Sequence, residues 1–240
     1  MVKEHIERAE APLVARAVAE FLGTFFITIV ATGVDVLYFT GAHVDYVSRW
    51  LARGFITTAM IYTFGPISGA HIDPAVSLGF TLRRAMTVQH MFVYWIAQFA
   101  GGFAAAGLAF ALWKNLIVLG ASHPGPHFTQ FEALVTEVML TFLIMIVILG
   151  TSEEKATVGA QAALAVGLTV AACGFFAGPI SGASMNPARS LPPQILGGAF
   201  GIIWIYVVGP FVGAALAAAG SIVCFPRTKA KGPGVRTSAG

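Results

Sequence analysis

The chain has 240 residues, of which 57% are hydrophobic and only 10% charged, and its mean hydropathy is +0.79. Soluble domains carry about 25% charged residues, so this composition excludes a soluble globular enzyme and predicts a polytopic membrane protein. The formal net charge of +3 comes from basic residues in tails and connections, which is a topology signal and not a nucleic-acid footprint.

In chain order, the polar start at residues 1–10 lacks the pattern of a removable signal peptide. A first span is predicted at 13–37, with Arg16 and Glu20 near its start, and a second at 50–64, carrying Arg53. A short helix at 74–82 ends at Arg83 and Arg84, and a third span covers 89–112. Residues 113–130, with Pro and His, read as a surface loop. The fourth span, 131–149, carries Glu137, and a charged turn at 151–157 leads to the fifth at 158–177. A second short helix at 187–196 precedes the sixth span at 200–225 and a basic tail at 226–240. Spans near 20 residues suit a hydrocarbon core about 30 Å thick. The short helices cannot cross it alone.

One phrase occurs twice. Gly65-Pro66-Ile67-Ser68-Gly69-Ala70 and Gly178-Pro179-Ile180-Ser181-Gly182-Ala183 are identical, and each reaches an Asx-Pro-Ala triplet at the same spacing. The triplets are Asp73-Pro74-Ala75 and Asn186-Pro187-Ala188. Asp or Asn before Pro reads as a helix N-cap followed by Pro at the first helical position, where its missing N–H costs nothing. Each phrase is therefore predicted to be a loop ending in a helix start. Bare backbone at membrane depth is tolerated only where it is buried in protein or lines a cavity, so the duplication points to a transport site. The halves 13–112 and 131–225 also match around Glu20 and Glu137, and around Tyr94 and Tyr206. Glycine and alanine recur in the third and sixth spans, a pattern for close helix packing. With six spans, most basic residues fall on the side of both termini, which predicts cytoplasmic termini and halves of inverted topology.

These motifs, with Asn186-Pro187-Ala188-Arg189-Ser190, resemble the aquaporin and glycerol-facilitator (major intrinsic protein) family over nearly the whole chain. The second phrase is similar to the nodulin-like branch and its bacterial relatives. The resemblance implies an all-α membrane protein: six transmembrane helices, two re-entrant half-helices, one channel domain, a homotetramer and no cofactor or metal. It implies a passive channel for water or small uncharged solutes such as glycerol, urea or metalloid hydroxides. An ion-conducting or proton-coupled transporter using Asp73, or a non-conducting structural protein, stays open as an alternative.

The resemblance also implies site roles. Carbonyls of Gly69, Ala70, His71, Gly182, Ala183 and Ser184 are expected to line the pore as acceptors. Glu20 and Glu137 are expected to hold the two loops. A selectivity filter is expected at Arg53, Gly174, Ala183 and Arg189. Two positions depart from the pattern. Asp73 stands where the family usually has Asn, and an ionised carboxylate only accepts hydrogen bonds. Arg53 stands where aromatic or small residues are common; it either snorkels to the interface or adds donors at the mouth. His71 reads as a packing residue of its loop. Cys173 and Cys224 offer no disulfide framework or metal-ligand spacing.

Overall fold

A computed structural model describes residues 11–152 and 161–225. The N-terminal tail, most of the charged turn and the basic tail expected at 226–240 lie outside the described residues. Among the described residues every regular element is helical. The helices are α1 (Leu13–Phe39), α2 (Tyr46–Ser68), α3 (Pro74–Leu82), α4 (Val88–Trp113), α5 (Gln130–Thr151), α6 (Ala162–Ser181), α7 (Pro187–Leu196) and α8 (Ile205–Cys224).

Local chemistry sets the boundaries. Asp45 caps α2 by accepting from the Ser48 N–H at 2.8 Å, and Thr129 with Glu132 forms a reciprocal capping box on α5. Helices α2 and α6 both stop at glycine in the left-handed region, Gly69 at φ 85° and Gly182 at φ 80°, where a Cβ would be strained. This corrects the expectation of loops running from Gly65 and Gly178. In both copies the Gly-Pro-Ile-Ser segment is the last turn of a helix, and the Gly69 and Gly182 N–H groups still close bonds of 3.0 Å to Gly65 and Gly178. The loops proper are only residues 69–73 and 182–186.

Among the described residues, five helical segments are long and apolar enough to cross a membrane, those built on α1, α4, α5, α6 and α8. Helix α2 has 23 residues, enough for a crossing, but Arg49, Arg53 and its threonines lower its hydropathy. It packs on α1 and α6 within the bundle. The polarity is that of a membrane protein, with Glu20, Asp35, Gln98 and Glu137 buried while Phe55, Ile96, Phe176 and Leu216 stand exposed.

The two halves repeat one packing plan. Helix α1 packs on α4, and α5 packs on α8. A Cβ at Gly101 would strike the Phe21 carbonyl, and one at Gly213 the Val138 carbonyl, so both contacts need a residue without a side chain. The half-helices lock the halves together, since α3 packs on α8 and α7 on α4. Residues 114–129, expected to be a surface loop, are largely exposed, but a stretch in their middle folds inward. Lys114–Gly120 forms a 3-10 turn, Ile117, Gly120, Ala121 and Ser122 are buried, and the Gln194 side chain donates to the Ser122 carbonyl at 2.7 Å.

Candidate pore and its arginine mouth

The two short loops share an unusual backbone. Gly69, Ala70 and Ile72 in the first, and Gly182, Ala183 and Met185 in the second, all have positive φ. Non-glycine residues adopt this region only when their surroundings over-determine it. Here the determinant is a buried carboxylate. Glu20 accepts from the His71 N–H at 2.9 Å, the Ile72 N–H at 2.6 Å, the Ser68 hydroxyl at 2.7 Å and the Gln98 amide at 2.8 Å. Glu137 accepts from the Ser184 N–H at 2.9 Å, the Met185 N–H at 2.7 Å and the Ser181 hydroxyl at 2.7 Å. Tyr94 and Tyr206 complete the symmetry, donating at 2.7 Å to the Ser68 and Ser181 carbonyls. Both carboxylates are spent on loop backbone, and neither lines the central cavity.

Asp73 and Asn186 are both extended-backbone N-caps followed by proline. Asp73 Oδ1 accepts from the Ala75 N–H at 2.8 Å, and Asn186 Oδ1 from the Arg189 N–H at 3.1 Å. Asn186 has a second group to use, and its Nδ2 donates across the bundle to the Ile72 carbonyl at 2.8 Å. Pro74, Ala75, Pro187 and Ala188 are buried behind the caps.

A cavity of about 190 Å³ runs past this meeting point. Its lining extends from Thr151 and Ala162, at the ends of α5 and α6, past Asp73 and Asn186 to Arg53 and Arg189. Gly69, Ala70, His71, Ala183 and Ser184 also line it, together with Ile72 and Met185, which sequence reasoning did not name. His71 stacks on Phe80 with ring centres 4.6 Å apart, and its Nδ1 lies 3.1 Å from the Ser77 hydroxyl.

At the arginine end lies the group that sequence reasoning missed. Asp35, buried near the end of α1, joins three arginines. Its Oδ1 is 2.5 Å from Arg49 Nε, and its Oδ2 accepts from both Arg53 Nη2 and, at 3.2 Å, Arg189 Nη2. Arg53 Nη1 donates to the Gly182 carbonyl at 3.3 Å, and its guanidinium lies 4.2 Å from the Trp50 ring centre. Arg189 Nη1 donates to the Ser122 hydroxyl, which tethers the 114–129 segment to the mouth. Arg49 sits among the Tyr38, Phe39 and Trp50 rings. A signal was available, because a carboxylate inside an apolar span is a functional candidate by default, and Asp35 falls within the first predicted span.

The remaining named positions lie elsewhere. Gly174 is buried but absent from the cavity lining; the Trp50 ring fills the space where its side chain would be. Gly182 opens on a separate cavity of about 310 Å³ lined by Asp35, Arg49, Ser122 and His123. Cys173 belongs to the apolar core around Trp50 and Leu140, and Cys224 is exposed.

Comparison with known proteins matches the family described as Major intrinsic protein over residues 7–220. The chain is 39% identical over 200 residues to Aquaporin NIP2-3 of Zea mays, covering 82% of this chain and 65% of that protein. It is 40% identical over 204 residues to Probable aquaporin NIP4-2 of Arabidopsis thaliana, covering 84% of this chain and 71% of that protein. Among solved structures, the aquaglyceroporin from Plasmodium falciparum superposes with a TM-score of 0.80 at 24% identity, covering 89% of this chain and 98% of that one, a likeness of fold.

Proposed function

The chain belongs to the major intrinsic protein family, a family of passive membrane channels and not of enzymes, and we propose that its own solutes are water and small uncharged hydroxylated molecules. One observation carries this reading: a single cavity is lined at one end by Arg53 and Arg189 and along its middle by the loop residues 69–73 and 183–186. Guanidinium N–H groups donate, and loop carbonyls accept. A hydroxyl does both, so water, glycerol or a metalloid hydroxide can exchange hydrogen bonds at each step. Asp73, Asn186, Ala183 and the two arginines are the contacts we assign to the passing solute. Glu20 and Glu137 act on the loops.

We place both termini in the cytoplasm of a cell membrane, from the distribution of Lys and Arg, with the Asp35 cluster facing outward. The working unit we propose is a homotetramer with one pore per subunit, on the strength of the family resemblance.

The test is stopped-flow light scattering on proteoliposomes, with sucrose, glycerol and urea gradients in parallel. Shrinkage faster than in empty liposomes, followed by re-swelling with glycerol, supports the reading. Fast shrinkage without re-swelling restricts the pore to water. No flux above empty liposomes for any of the three gradients overturns it.

A further inference from the structure

Two departures line the same cavity: the carboxylate of Asp73 and the second guanidinium, Arg53, beside Arg189. We propose that Arg53, positioned by Asp35, is the residue that keeps cations out of a pore whose centre carries the Asp73 carboxylate. The inference rests on the channel reading above.

The charges make the case. Each half-helix N-terminus supplies roughly half a positive charge at the pore centre. An ionised carboxylate there carries a full negative charge, enough to cancel both. In that form Asp73 has acceptors only, and its Oδ1 accepts from the Ala75 N–H. Asn186, across from it, turns its amide donor to the Ile72 carbonyl. With Asp73 ionised, the centre of this pore lacks the positive barrier that two amide caps would leave.

The barrier is rebuilt at the mouth. Arg189 and Arg53 both face the cavity, and both bond to the one carboxylate of Asp35. Asp35 supplies one negative charge to Arg49, Arg53 and Arg189 together, so the cluster is net positive. Arg49 does not line the central cavity; aromatic rings hold it on the other side of Asp35. Without Arg53, Arg189 is the one guanidinium of the cluster left facing the cavity, and it shares Asp35 with Arg49. Arg53 is also fixed in place, by Asp35 at Nη2, by the Gly182 carbonyl at Nη1 and by the Trp50 ring. Snorkelling away from the pore would break all three contacts.

The test is a two-by-two comparison in proteoliposomes: native protein, Arg53→Gln, Asp73→Asn and the double variant. Potassium and chloride leak are measured beside water flux. Arg53→Gln is expected to raise potassium leak about tenfold or more without raising chloride leak, because a charge barrier discriminates by sign. The double variant is expected to return to the native leak, and Arg53→Lys, which keeps the charge, to stay tight. No rise in Arg53→Gln, an equal rise for chloride, or a double variant as leaky as the single one would each overturn the proposal. Asp35 keeps Arg49 and Arg189 in these variants, so no carboxylate is buried alone. Arg53→Met, which adds no unpaired polar group, carries the same comparison if the glutamine variant does not insert. Water flux in the native protein separates the two readings. Its absence defeats the channel reading and this inference with it; its presence with a negative leak result defeats this inference only.

Discussion

The amide nitrogen of Asn186 donates to the carbonyl of Ile72 at 2.8 Å, joining two loops that are 114 residues apart in the chain. Asp73, at the equivalent place in the first loop, has no such donor to return. The two caps are alike as caps and different as links. Asn and Asp serve almost equally as N-caps, so Asp73→Asn is expected to change stability by less than about 0.5 kcal/mol. Asn186→Ala removes a cap and leaves a buried carbonyl unpaired, at a cost of about 1–3 kcal/mol. Thermal unfolding in detergent micelles, followed by tryptophan fluorescence, checks both. Equal losses for the two substitutions would contradict the assigned asymmetry.

The loop carboxylates give a second prediction. Glu20→Gln keeps the shape but turns one acceptor into a donor, which then faces a backbone N–H or another donor. The expected cost is about 2–4 kcal/mol, from a buried polar group left unsatisfied. Water flux should fall with it, because the positive-φ backbone of Ala70 and Ile72 loses its restraint. Glu137→Gln is expected to behave alike. Native flux in a well-folded Glu20→Gln protein would show that the loop holds itself.

Asp35→Ala strips three buried guanidiniums of their shared counter-charge. Breaking a buried ion pair from one side costs about 3–5 kcal/mol, and Arg49, Arg53 and Arg189 would repel one another. Lower yield and a lower unfolding temperature are expected, with partial recovery when Arg49→Met is added, since one of the repelling cations is then gone. A double variant no better than the single one would mean that Arg49 is not coupled to Asp35.

Gly174→Ala tests the packing of the mouth. A Cβ at this position falls inside the Trp50 ring, and overpacking of this kind costs about 1–3 kcal/mol. The expectation is a less stable protein, with recovery when Trp50 is reduced to Phe. A change in the glycerol-to-water permeability ratio at unchanged stability would instead mean that Gly174 faces the pore.

The duplicated phrase already carried the architecture. Asx before Pro fixes a helix start wherever it occurs, and two copies beside apolar runs leave little choice but paired half-helices, so the bounds of α3 and α7 could be read within a residue. Glu20 and Glu137 stood out because a carboxylate in an apolar span needs a reason. The capping signal did not reveal that Gly65-Pro66-Ile67-Ser68 is helical, since proline and glycine also punctuate turns and only packing decides between them. Nor could the sequence join Asp35 to Arg49, Arg53 and Arg189. Such a cluster forms only when α1, α2 and α7 meet at one mouth, and ion pairing across 154 residues leaves no periodic mark on the chain. Gly174, expected from the family resemblance in the filter, likewise shows a neighbour the chain does not announce: the Trp50 ring of the adjacent helix lies where its Cβ would be. Local signals, read from residues a few places apart, determined the helices, the caps and the family. Charge balance at the mouth and the filling of its wall are long-range properties, and only the tertiary structure decided them.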